Sequence, residues 1–251
     1  MKLIIIFLHI EMTISFGDRM GEMARRICFI PMIDTHLIYD ELLVDFKYFN
    51  GFSLRQKQKS IESMHSSILN INPSLNILEI STKSPNPTGI SLSAFNLKFM
   101  DEISGIEYPL ENVFQASKIF EKGGPYRDLL NVHPKDAKRD ERLKCSGRLI
   151  GFEYNNSSWE IEPKTMFYDW IYIKSLYRNK ILAKKIMSYD AFTDIEFNQE
   201  KSINCQARAA AIFVSLVKLG KIDEALQCKS KFKEIYSSNH SKSTQISIFD
   251  M

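Results

Sequence analysis

ENVFQASKIF, residues 111–120, is the stretch on which the reading of this chain turns. Pro109 precedes it and the breaker Gly123-Gly124-Pro125 follows it, so a helix is expected over residues 109–120. At about 100° per residue, Leu110, Val113, Phe114, Ser117 and Phe120 share one face, and that face must pack inward. Glu111, Gln115 and Lys118 follow at i, i+4 and i+7 on its shoulder, spread over about 10 Å of helix axis. Two readings are open at this level. The stripe is either a solvated row of good helix formers or one wall of a cleft long enough for a sugar-sized ligand.

Working outward, residues 27–32 and 42–49 read as strands, 53–69 as a helix capped by Ser53, and 76–80 as another strand. SPNPTG at 84–89 is the clearest breaker cluster, and ISLSAFNLKF at 90–99 alternates like a strand. Beyond it the chain turns helical. Residues 135–149, 163–178, 181–187, 202–219 and 222–236 are each expected as helices, with Pro163 in a first turn and Gly220 at a helix end. LVKLGKIDEAL at 216–226 looks like one tetratricopeptide hairpin, but a single copy does not make an array. The sum is a helix-rich α+β chain with a small N-terminal strand-helix-strand region. Its expected divisions are an extension over 1–22, an N-terminal α+β region over 23–88 packed on the core, a main domain over 89–236, and a flexible tail over 237–251.

Composition narrows the function classes. The chain has 251 residues and a formal net charge of +3, too small to mark a dedicated nucleic-acid binder. The basic excess concentrates at 135–148, KDAKRDERLKCSGR, which is either a phosphate-tracking surface or a charge-mixed helix face. Cys28, Cys145, Cys205 and Cys228 form no CxxC motif and the five histidines are scattered, so free thiols in a reducing compartment, no metal and no cofactor are expected. The apolar run at residues 3–10 is too short to span a bilayer and lacks a small-residue cleavage site. MARRICFIP from Met23 reads as a natural start, so residues 1–22 are expected to be an upstream extension and the protein cytoplasmic, with no membrane partner.

LENVFQASKIF resembles the signature of the NADAR (NAD- and ADP-ribose-associated, YbiA-like) family, Glu-x-x-Phe-Gln-Ala-x-Lys, with Glu111, Phe114, Gln115, Ala116 and Lys118 in its places. LSAFNLKF at 92–99 resembles the family's upstream strand, and AKRDERLKCSGR at 137–148 its basic helix. Trp159 followed by Lys164 resembles its Trp-Lys stretch, with one more residue between them. The runs GGPYRDLL, EPKTMFYDWIYI, YDAFTDIEFN, KSINCQARAAAIFVSL and FKYFNGFSLRQKQKSI are similar to the subgroup found as antitoxins beside DarT-type toxins, which ADP-ribosylate guanine in DNA.

That resemblance implies a helix-rich NADAR fold and hydrolysis of the N-glycosidic bond between ADP-ribose and guanine. It implies that Lys118 attacks the anomeric carbon and forms a Schiff base. An ordinary lysine is protonated at neutral pH, so this one needs desolvation or nearby cations. The Phe114 face is expected to supply the first, and Arg127, Arg139 or Arg148 the second. Glu111 stabilises ammonium if paired with it, so it is assigned instead to proton transfer and ribose binding, across the ligand from the amine.

The remaining candidates carry two readings each. Gly123 and Gly124 offer backbone N–H groups to a diphosphate or simply end a helix. Trp159 stacks on a base or fills the core. Asn204 and Gln206, expected at a helix start, bind ligand or cap. Tyr126, Gly147 and Arg148 complete the expected substrate-binding set with Phe114, Gln115 and Arg139. Asp190 and Asp194 read as capping or loop residues. In the tail, QISIF at 245–249 resembles the peptide by which bacterial proteins bind the sliding clamp, with Gln245 setting the register and Ile248 and Phe249 as anchors. Competing functions are the same chemistry on a small nucleotide metabolite or on ADP-ribosylated RNA, and a non-catalytic antitoxin that binds its toxin.

Overall fold

The computed structural model describes residues 21–33, 37–199, 202 and 204–238. Most of the extension over 1–22 and the clamp-like peptide at Gln245, Ile248 and Phe249 lie outside them.

The chain opens with β1 (Glu22–Pro31) and β2 (Tyr39–Tyr48), an antiparallel pair in continuous register from Glu22↔Tyr48 to Pro31↔Tyr39. Next comes α1 (Leu54–Ile71), where Ser53 caps Gln56 N; of the stripe that helical spacing predicts, Ile61, Met64 and Ile68 are buried, whereas Leu54, at the first position of the helix, is exposed. Then follow β3 (Ile77–Glu79), α2 (Pro87–Ser91), β4 (Lys98–Met100), β5 (Glu107–Pro109), α3 (Leu110–Ala116) and β6 (Lys118–Phe120). A 3-10 turn at Arg127–Asn131 leads to α4 (Pro134–Arg139), α5 (Arg142–Cys145), β7 (Leu149–Tyr154) and β8 (Ser157–Trp159). The last part is α6 (Met166–Arg178), α7 (Lys180–Ile186), β9 (Ala191–Thr193), α8 (Gln206–Lys218), α9 (Ile222–Gln227) and α10 (Lys229–Ser238). This is the expected helix-rich α+β class.

Three sheets organise these elements, in the orders β2-β1-β9-β3, β4-β5 and β6-β7-β8. β9 arrives late in sequence yet runs parallel to β3, pairing Ile77 with Ala191 and Glu79 with Thr193. One large hydrophobic cluster draws on β1 and β3 as well as on α6 and α8, joining Phe29 and Leu78 to Phe167, Ile171 and Phe213. A smaller cluster sits between α1 and the β1-β2 pair. No helix among the described residues is long and apolar enough to cross a membrane.

Several local expectations are overturned. Residues 90–99 are not one strand: Asn86 caps α2 through Thr88 N at 2.9 Å, and only Lys98–Met100 extends. The expected helix at 135–149 is two short helices followed by the start of β7, because Asp140 breaks it and turns its carboxylate back to cap Arg142 N. The helix expected from Pro163 begins at Met166, and the one expected over 222–236 is split at Cys228. The key change concerns residues 109–120. The helix there stops at Ala116, and Lys118 lies on a strand.

Candidate active site

The short helix α3 is buried on every side, so its polar residues are not a surface stripe. Pro109 offers no side-chain cap. The first N–H groups instead donate to a neighbouring loop, Leu110 N to Leu97 O and Glu111 N to Ala94 O, both at 2.9 Å. At its other end the Ser117 hydroxyl donates to Val113 O at 2.7 Å. Glu153 N then donates to Ser117 O, and Lys118 pairs with Phe152 across β6 and β7. Sheet pairing therefore captures the chain before the helix can continue past Ala116. The expected i, i+7 relation between Glu111 and Lys118 is lost, and the cleft forms where helix passes into strand.

That cleft has a volume of about 850 Å³ and brings together Glu111, Phe114, Gln115, Lys118, Arg139, Asn204 and Gln206 from the expected set. Within it, Gln115 Nε2 donates to Glu111 Oε1 at 2.8 Å and fixes the carboxylate. Gln115 Oε1 is buried without a hydrogen-bond partner among the described residues, leaving an acceptor for a ligand donor. Phe114 packs against Phe152 and, edge on, against Tyr168, which also lines the cleft. Its face receives the Lys118 Nζ at 4.7 Å from the ring centroid.

Lys118 is half-buried, and burial lowers its pKa to about 8; the Glu111 carboxylate pulls the other way, and the Lys138 ammonium adds to the lowering. No ion pair joins Lys118 to Glu111 within 4 Å. The neighbouring cation is not among the expected arginines. Arg127 is paired with Glu153 and Arg148 with Glu121, while Arg139 is exposed on the cleft wall. Lys138 takes the role, beside the Phe95 ring at 5.3 Å.

The parallel strands β3 and β9 release their carboxyl ends into the same cleft, Ser81, Thr82 and Lys83 after one, Asp194, Glu196 and Phe197 after the other. Asp194 is thus a cleft residue rather than only a loop or capping one, although it does accept from Glu196 N at 3.0 Å. Burial, with Glu79 beside it, raises its carboxyl pKa to about 8. Glu79 itself is buried and accepts from Thr193 Oγ1 and Ile195 N. Gln206 spans the junction, accepting from Ala94 N at 2.7 Å and donating to Ile80 O at 3.0 Å. Asn204 lines the cleft two residues before α8, which begins at Gln206 rather than at 202.

The other expected binding residues lie elsewhere. Trp159 is 3% exposed and packs on Trp170 at 4.8 Å and Phe167 at 5.3 Å, so it is core and not a base platform. Gly123, Gly124, Tyr126, Gly147 and Arg148 do not line the cleft; they form the turn region behind β6. There the Tyr126 hydroxyl meets the Ser146 hydroxyl, and Lys122 N donates to Ser146 O. Gly123 and Gly124 do not end the helix either, because it has already ended at Ala116. Sequence reading missed Tyr168, Asp194, Phe95 and Lys138. Their shared signal is only that each follows or lies in an element whose tertiary partner was unknown.

Comparison with known proteins gives one family. The one described as DarT1-associated NADAR antitoxin matches residues 24–246, nearly the whole chain. No curated protein matches. The chain belongs to the NADAR family, in its DarT1-associated antitoxin group.

Proposed function

From that membership as premise, we propose that the cleft hydrolyses the N-glycosidic bond between ADP-ribose and guanine in nucleic acid, and that the protein thereby neutralises a DarT-type toxin. One observation carries the reading: a half-buried lysine, lowered to about 8, stands beside a buried carboxylate that a glutamine holds in place. A lysine so lowered has an appreciable neutral fraction near pH 7, which nucleophilic attack needs.

In this reaction the Lys118 Nζ lone pair bonds to the anomeric carbon as the bond from that carbon to the guanine nitrogen breaks. The proton shed by the lysine nitrogen passes through Glu111 to the departing base. Opening of the ribose ring gives a Schiff base with Lys118. Water then adds to it, releasing ADP-ribose and restoring the amine. Gln115 Oε1 accepts from a sugar hydroxyl.

The test is incubation with an oligonucleotide carrying ADP-ribosylated guanine, followed by borohydride reduction. Recovery of the oligonucleotide with its guanine unmodified, with ADP-ribose mass fixed on the Lys118 peptide, is expected, and Lys118→Ala abolishes both. Loss of the modification undiminished in Lys118→Ala would overturn the mechanism. Cells protected by an inactive Lys118→Ala would show instead that the protein acts by binding its toxin.

A further inference from the structure

Phe52 is a phenylalanine with no shelter. It projects from the turn between β2 and α1, fully exposed, and yet it borders the mouth of the cleft. An apolar ring held wholly in water contributes nothing to the fold, since burying one such side chain is worth about 2 kcal/mol. The same cleft is lined by Lys135, Lys138 and Lys144, all exposed, and by Lys83 in the loop after β3. No carboxylate lies within ion-pair distance of any of these four among the described residues, although the salt bridges of this protein are otherwise numerous. Lys138 already sits over a second ring at the mouth, Phe95. The rim thus combines aromatic faces with unneutralised ammonium groups, while the reactive lysine lies half-buried within.

We infer that this rim is a binding track for a single-stranded nucleic-acid chain, with Phe52 stacking a base that flanks the modified nucleotide and the four lysines meeting its phosphates. Resting on the proposed glycosidic activity, this assignment names the form in which the substrate arrives. Every base has a face that stacks on an aromatic ring, so such a platform is tolerant of sequence and needs unpaired bases. A base inside a duplex cannot reach Lys118 without leaving its stack. A free mononucleotide has neither a flanking base for Phe52 nor further phosphates for the outer lysines.

The measurement is fluorescence anisotropy with the full chain and a labelled, unmodified strand of about a dozen nucleotides, which reads binding without any hydrolysis. DNA and RNA strands of one sequence are run side by side, and their ratio identifies which sugar is preferred. Phe52→Ala is expected to weaken binding about tenfold, with Phe52→Trp restoring it. Each of Lys135→Gln and Lys144→Gln is expected to flatten the salt dependence by about 0.7 in the log-log slope. Equal affinity of Phe52→Ala and the parent for both strands, or a duplex bound as tightly as a single strand, would overturn the track. Either result leaves the glycosidic activity to be judged by its own assay.

Discussion

A Cβ placed on Gly124 would lie 2.3 Å from the carbonyl oxygen of Lys118 and 3.3 Å from the Cα of Ile119. Gly124 also has φ +89, a conformation that side chains resist. The turn after β6 therefore presses on the backbone of the proposed nucleophile with no room between them.

Gly124→Ala must displace β6 or the turn. It should cost more than about 1 kcal/mol of stability and reduce turnover as well, because Lys118 moves with its strand. Gly105→Ala is the control. That residue has φ +68 but open space around its Cβ position, so its substitution should cost stability while sparing turnover. Chemical denaturation and steady-state kinetics on both variants separate the two effects.

The pH dependence should follow the amine of Lys118. Its rate with excess enzyme should rise about tenfold per pH unit below pH 8 and level off above it, as the neutral fraction saturates near about 8. Stability gives an independent reading of the same group. The folded state holds this proton less tightly than the unfolded chain, so protonation favours unfolding below about pH 8, and the handicap fades as pH rises from there towards the ordinary lysine value. Lys118→Met should therefore be inactive yet melt higher than the parent at pH 7. A lower melting temperature would place the amine in a stabilising contact instead.

Asp194 predicts the reverse slope. Its raised carboxyl binds a proton more tightly in the folded state than in the unfolded one, so its contribution is present below the ordinary aspartate range and is lost as pH climbs through about 8. Asp194→Asn keeps an acceptor for Glu196 N and cannot ionise. Thermal melts from pH 5 to 9 should show the variant gaining on the parent as pH rises. Parallel curves would mean that Asp194 is charged throughout.

Trp159 should behave as core. Truncation to Ala is expected to cost about 3–5 kcal/mol, as for other large buried rings, and Trp159→Phe to retain most of the stability and the full affinity for substrate. A Trp159→Phe variant with native melting but weakened substrate binding would restore Trp159 to the site.

Much of this protein was set by its sequence alone. The stripe of Ile61, Met64 and Ile68, the Ser53 cap and the β1 and β2 patterns need only local spacing, because each element buries one face and solvates the other. The motif around Glu111, Gln115 and Lys118 named the family, since residue identities at fixed intervals survive any error in secondary structure. What periodicity could not supply was the break after Ala116. All of α3 is buried, so no amphipathic period marks its end, and the strand begins only because β7, some thirty residues later, offers Lys118 a pairing partner. The arrival of Asp194 beside β3 and the capture of Trp159 by the core were decided in the same way. Both depend on pairings between distant segments, such as β9 on β3, and those contacts exist only once the chain has folded.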